Sequence, residues 1–142
     1  MPTLTQIATE INTDPMSLGY AALKVQSNGP DAVAARMNEA GASGQTIFKA
    51  YVPVEELLAE LQYAEFNTWT TAQKAGVDQY FRGTRVKTGS ATLRASMNAM
   101  LPTSTSKTNM IALASRPASR GEFLWGEGTV ITAQEVSYAM GN

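Results

Sequence analysis

The sequence predicts an all-α chain, a single helical domain over residues 1–142 built as a bundle of about seven or eight short helices with at most a short strand. Three observations predict it. A hydroxyl residue followed three positions later by Glu or Gln recurs ahead of apolar runs, the capping-box pattern of helix starts. Apolar residues repeat at three- and four-residue spacing. Glycine and proline interrupt these runs at short intervals. A chain of 142 residues suits one domain.

The elements follow in order. Thr3-Leu4-Thr5-Gln6 is a capping box, and Leu4, Ile7 and Ile11 share one helical face. Asn12-Thr13-Asp14-Pro15 ends that helix, because a residue before proline avoids the helical region. Met16 to Leu23 is a short helix or turn. Pro30 stands near the first position of a helix running to Ala40, with Val33 and Met37 four apart. Gly41-Ala42-Ser43-Gly44 breaks the chain. Gln45 to Val52 suits either helix or strand: Ile47, Phe48 and Tyr51 fit a helix, whereas Thr46, Ile47 and Val52 are β-branched. Pro53 opens a helix over Val54 to Leu61, with Glu55 and Glu56 favourably placed in its first turn.

Thr70-Thr71-Ala72-Gln73 is a second capping box, opening a helix to Phe81 that turns Val77, Tyr80 and Phe81 inward and stops at Gly83. Arg85 to Gly89 is a loop or short extended piece. Ser90 caps a helix over Ala91 to Leu101, and Pro102-Thr103-Ser104-Thr105 breaks it. Lys107 to Ala114 is helical, with Met110, Ile111 and Leu113 apolar. Two short helices close the chain, opened by the boxes Ser119-Arg120-Gly121-Glu122 and Thr132-Ala133-Gln134-Glu135. Gly126 to Ile131 separates them, and Gly141 ends the second.

Composition narrows the function classes. Charged residues are 16%, against the usual ~25%. Cysteine and histidine are absent, which removes thiolate chemistry, the commonest general base and the commonest metal ligand. No apolar run approaches the roughly 20 residues of a membrane span. The start, Met1-Pro2-Thr3-Leu4-Thr5, lacks the basic and apolar regions of a secretion signal. Residues 1–65 hold eight acids against three bases, a net −5; residues 66–142 hold four against eight, a net +4. Head-to-tail contact between copies would exploit that asymmetry.

Three groups of residues suggest chemistry. Glu55, Glu56 and Glu60 could pair carboxylates or hold a divalent ion, but a solvated helix face explains them better. Arg82, Arg85, Lys87 and Arg94, near Trp69, Tyr80 and Phe81, could hold nucleic-acid phosphates and stack bases. The isoelectric point near 5.4 argues against a dedicated nucleic-acid binder. Gly126-Glu127-Gly128 lacks the Gly-Lys-Ser/Thr ending of a phosphate loop, and a helix stop plus a turn accounts for it. The seven methionines fall mostly at core spacing, as do Met97 and Met100.

Two segments carry a resemblance. Ile11-Asn12-Thr13-Asp14-Pro15 with Leu18-Gly19-Tyr20 resembles an I-x-T-D-P-x-x-x-G-Y opening found in small proteins of tailed bacteriophages (Caudoviricetes). Ser115 to Gly126, followed by Gly128 to Thr132 and Val136, is similar to their C-terminal pattern, and Ile47-Phe48, Pro53 and Thr70–Gln73 are similar stations between. The chain departs from the family pattern at Ala21 to Gly29, where a G-M-T turn is usual, and at Leu101 to Ser104, where a Gly-rich break is usual. The resemblance implies a virus origin and membership of the virion.

The expectation is therefore a non-enzymatic structural protein of a tailed-phage particle, multi-copy, in the neck or tail region or on the capsid. No catalytic, cofactor-binding or metal-binding residue is assigned. Its partners would be other virion proteins and copies of itself, not a membrane and not nucleic acid, and it would assemble in the host bacterial cytoplasm. Interface candidates, chosen because aromatic residues and arginine are enriched at interfaces, are Tyr63, Phe66, Trp69, Arg82, Arg85, Arg116 and Trp125. The alternative is a small phage DNA-associated or regulatory protein using residues 82–94.

Overall fold

A computed structural model describes residues 1–141. Helices make up 55% of the chain and strands 7%. The fold is helix-dominated, as expected, but the described residues include four short strands where at most one was expected. The described residues form two compact units: residues 1–47 with 117–141, and residues 48–116.

The first unit holds α1 (Leu4–Thr13), α2 (Tyr20–Leu23), α3 (Gly29–Asn38), α9 (Arg120–Trp125) and α10 (Ala133–Ala139). Thr3 and Gln6 complete the capping box of α1, with both reciprocal hydrogen bonds formed. Asp14 ends α1 in the left-handed conformation, φ 40°. Its carboxylate then accepts from the N–H groups of Leu18 at 2.7 Å and Gly19 at 2.9 Å, which folds the chain back into α2. Gly19 sits at φ 84°, a conformation that suits glycine. The core is built from Ile7, Ile11, Leu18, Tyr20, Val33, Met37, Ile131 and Val136. Leu4, expected on the inner face of α1, is instead 45% exposed, because it lies in the first turn beyond the reach of this core.

The second unit holds β2 (Val52–Pro53), α4 (Val54–Ala59), α5 (Tyr63–Phe66), α6 (Thr71–Tyr80), β3 (Arg85–Val86), α7 (Ala91–Met100) and α8 (Thr105–Ala114). β2 and β3 pair antiparallel, with Val52 opposite Val86 and Pro53 opposite Arg85. The ambiguous stretch after Gln45 is thus extended, as β1 (Thr46–Phe48) and β2. Lys49 N–H donates to the Ala114 carbonyl at 2.8 Å, and Thr88 Oγ1 donates to the Lys49 carbonyl at 2.6 Å, so its backbone groups are satisfied across the fold and not along a helix. The core is Val52, Val54, Leu57, Trp69, Val77, Phe81, Val86, Leu101, Met110 and Ala114. α4 stops at Ala59, two residues before the expected Leu61, with Glu60 at its C-cap. α8 starts at Thr105, two residues before the expected Lys107, because Ser104 caps it by accepting from Lys107 N–H. β4 (Ser115–Pro117) carries the chain out of this unit.

Candidate functional site

The side chains singled out in the sequence fall into different environments. Tyr63 is 79% exposed on α5. Phe66 is half-buried and meets Trp69 edge-to-face, ring centroids 5.6 Å apart. Trp69 is a core residue of the second unit, so its indole is committed to folding. Arg82 is exposed and pairs with Asp78 one helical turn earlier, at 3.0 Å. Arg85 stacks over Tyr51, with its guanidinium carbon 3.9 Å from the ring centroid. Arg116 is half-buried in β4, and Trp125 packs against the core of the first unit.

The basic segment is therefore not a row of projecting cations. Arg82 is held by a carboxylate, Arg85 by Tyr51, and Arg94 by Phe48, with a guanidinium-to-centroid distance of 4.1 Å. Lys87 is exposed and, among the described residues, has no such contact. Among the described residues, no group of three or more carboxylates is placed to hold a metal ion, the Glu55, Glu56 and Glu60 cluster included. No described helix is long and apolar enough to cross a membrane.

The structure brings together two features that sequence reasoning missed. The first is a buried ion pair. Arg120 Nε and Nη2 donate to the two carboxylate oxygens of Glu10 at 2.6 and 3.1 Å, and Arg120 Nη1 donates to Gln45 Oε1 at 3.0 Å. Both charged side chains are only 6% exposed. Bidentate geometry and the amide from Gln45 offset the desolvation that burial imposes. Tyr20 lies in the same core. Burial, followed by the nearby Glu10 and Asp14 carboxylates, pushes its phenol above the ordinary tyrosine range.

The second feature is a cavity of about 340 Å³ in the second unit. α7 lends it Ala91, Arg94, Ala95 and Asn98, and α8 lends it Lys107, Met110, Ile111 and Ala114. Each set is spaced i, i+3, i+4, i+7, one face of a helix. Phe48, Leu57 and Leu101 complete much of the apolar wall. The three alanines leave the space unfilled. The sequence does contain both stripes, but nothing local in it says that they face each other.

Compared with family models, curated proteins and solved structures, the chain matches none.

Proposed function

We propose that this chain is a non-enzymatic structural protein of a tailed-phage virion, present in many copies and acting through protein–protein contacts in the neck or tail region or on the capsid. One observation carries the reading: several polar residues of the two phage-like segments are spent within the fold, on backbone groups or on a buried ion pair. Asp14 closes the turn into α2. Ser119 and Glu122 complete a capping box, and Glu122 also accepts from Gly128 N–H at 2.9 Å. Arg120 is consumed by Glu10. Thr132 and Glu135 complete another box. A pattern whose polar residues shape the chain suits a scaffold better than an active site, where some would point at a reacting group.

The exposed aromatic Tyr63 and the arginines of the second unit supply the kind of surface that interfaces favour. DNA association through residues 82–94 ranks second, because Arg82, Arg85 and Arg94 already have intramolecular partners.

Quantitative mass spectrometry of purified particles of the encoding virus tests the proposal. The expected result is this chain at fixed stoichiometry to the major capsid protein. About six or twelve copies would match a symmetric ring on the tail axis, and on the order of hundreds would match the capsid or tail tube. Absence from the particle would overturn the structural reading and leave salt-sensitive DNA binding to be measured.

A further inference from the structure

We propose that the cavity between α7 and α8 is a binding site for a small apolar monocarboxylate, the chemical class of a medium-chain alkyl acid. The walls call for an apolar body: Phe48, Leu57, Met97, Leu101, Met110 and Ile111 line a space of about 340 Å³, at the lower end of the roughly 300–1,000 Å³ typical of ligand pockets. The cations on its wall call for an anionic head. Arg94 and Lys107 both line the cavity, and among the described residues neither has a carboxylate within ion-pair distance.

Both cations are held in place by neutral groups. Arg94 stacks on Phe48 and donates from Nη1 to the Thr88 carbonyl at 2.8 Å, which leaves its other N–H groups available. Lys107 Nζ donates to the carbonyls of Asn98 at 2.9 Å and Leu101 at 3.3 Å, which leaves a third N–H. Carbonyl contacts orient the two side chains without neutralising them. The site is thus preorganised for an anion that the described residues do not themselves provide, and charge-assisted hydrogen bonds are the stronger kind. α7 supports the same conclusion: it is ten residues long yet has no fully buried residue, so its inner face is left partly open.

The test is titration of the full chain with decanoate, followed by amide NMR, with decanol and decyltrimethylammonium as neutral and cationic probes of the same length. Decanoate should saturate, with the largest shifts between Ala91 and Ala114. It should bind about tenfold or more tighter than decanol, with the cation weakest. Ala95→Phe, at an exposed position that borders the cavity, should weaken all binding about tenfold or more by occupying the space, with the helical circular-dichroism signal retained. Because Arg94 also packs on Phe48, Lys107→Met carries the head-group test. It should keep the affinity for decanol and lose most of the preference for decanoate, a split that a general loss of structure would not produce. Absence of saturation, equal binding of the three probes, or decanoate binding untouched by Ala95→Phe would each overturn the proposal.

Discussion

Two buried polar groups dominate at the scale of single residues. The Glu10–Arg120 pair has almost no access to water, so removing one partner strands a charge. Arg120→Met should therefore cost about 3–5 kcal/mol, read as a lowered denaturation midpoint. The double variant Glu10→Leu/Arg120→Met should recover most of that loss, and a double-mutant cycle would measure the coupling. If the two single changes simply added, the pair would not be acting as a unit. Tyr20 behaves oppositely. Its hydroxyl is buried and makes no hydrogen bond among the described residues, so it contributes desolvation cost without a compensating bond. Tyr20→Phe should raise stability by about 1 kcal/mol, measured by chemical denaturation. A loss of comparable size would mean the hydroxyl has a partner in solution. Gly29 is constrained differently: a Cβ there would collide with the Lys24 carbonyl, so even alanine would force the backbone apart.

At the scale of elements, the helix starts are the most autonomous features. All four capping boxes legible in the sequence form, at Thr3, Thr70, Ser119 and Thr132, and Ser90 caps α7 as expected. Each needs only residues three apart, so chain-local geometry suffices. α8 has a further cap that is not local. The Glu65 carboxylate accepts from Thr105 N–H at 2.8 Å, from Ser106 N–H at 2.9 Å and from Ser106 Oγ at 2.8 Å, forty residues along the chain. The Ser106 hydroxyl, then the backbone N–H groups, hold this carboxyl below the ordinary glutamate range despite some opposing desolvation. A depressed acid stabilises the fold above its unfolded value and loses that contribution as pH falls through the folded value. Stability should therefore decline below about pH 4.3 partly through Glu65. In Glu65→Gln the chain should be less stable at neutral pH and its melting temperature should fall less steeply with acid. Parallel pH curves for the two proteins would show that Glu65 does not contribute. α5 was not anticipated at all, because four residues are too few to display a period.

At the scale of the whole molecule, the second unit is an insertion in the first. Its ends are close within each unit: the Ala118 N–H donates to the Gln45 carbonyl at 3.0 Å, and the Lys49 N–H donates to the Ala114 carbonyl at 2.8 Å. Adjacent ends are what make an inserted segment separable. Joining residue 47 to 117 through a short glycine-rich turn should leave the first unit folded around Ile7, Met37 and Val136. Dispersed amide and upfield methyl resonances would show it, whereas a collapsed spectrum would mean that its core depends on residues 48–116. The units also divide the charge: residues 48–116 carry five acids and eight bases, a net +3, and the remainder seven and three, a net −4. The split between the two halves of the sequence, −5 against +4, is sharper than the split between the folding units.

The sequence by itself determined where most helices begin, where proline and glycine end them, and that little strand would form. Those outcomes depend on bonds between residues three or four apart and on backbone sterics, which need no distant partner. Tertiary structure alone decided which apolar side chains go inside, so that Leu4 is exposed while Trp69 is buried. It also decided that Glu10 meets Arg120 across 110 positions, that Glu65 caps α8, and that the α7 and α8 stripes enclose a cavity. Burial and charge pairing are set by which surfaces meet in space, and a single chain's local pattern carries no record of that distance.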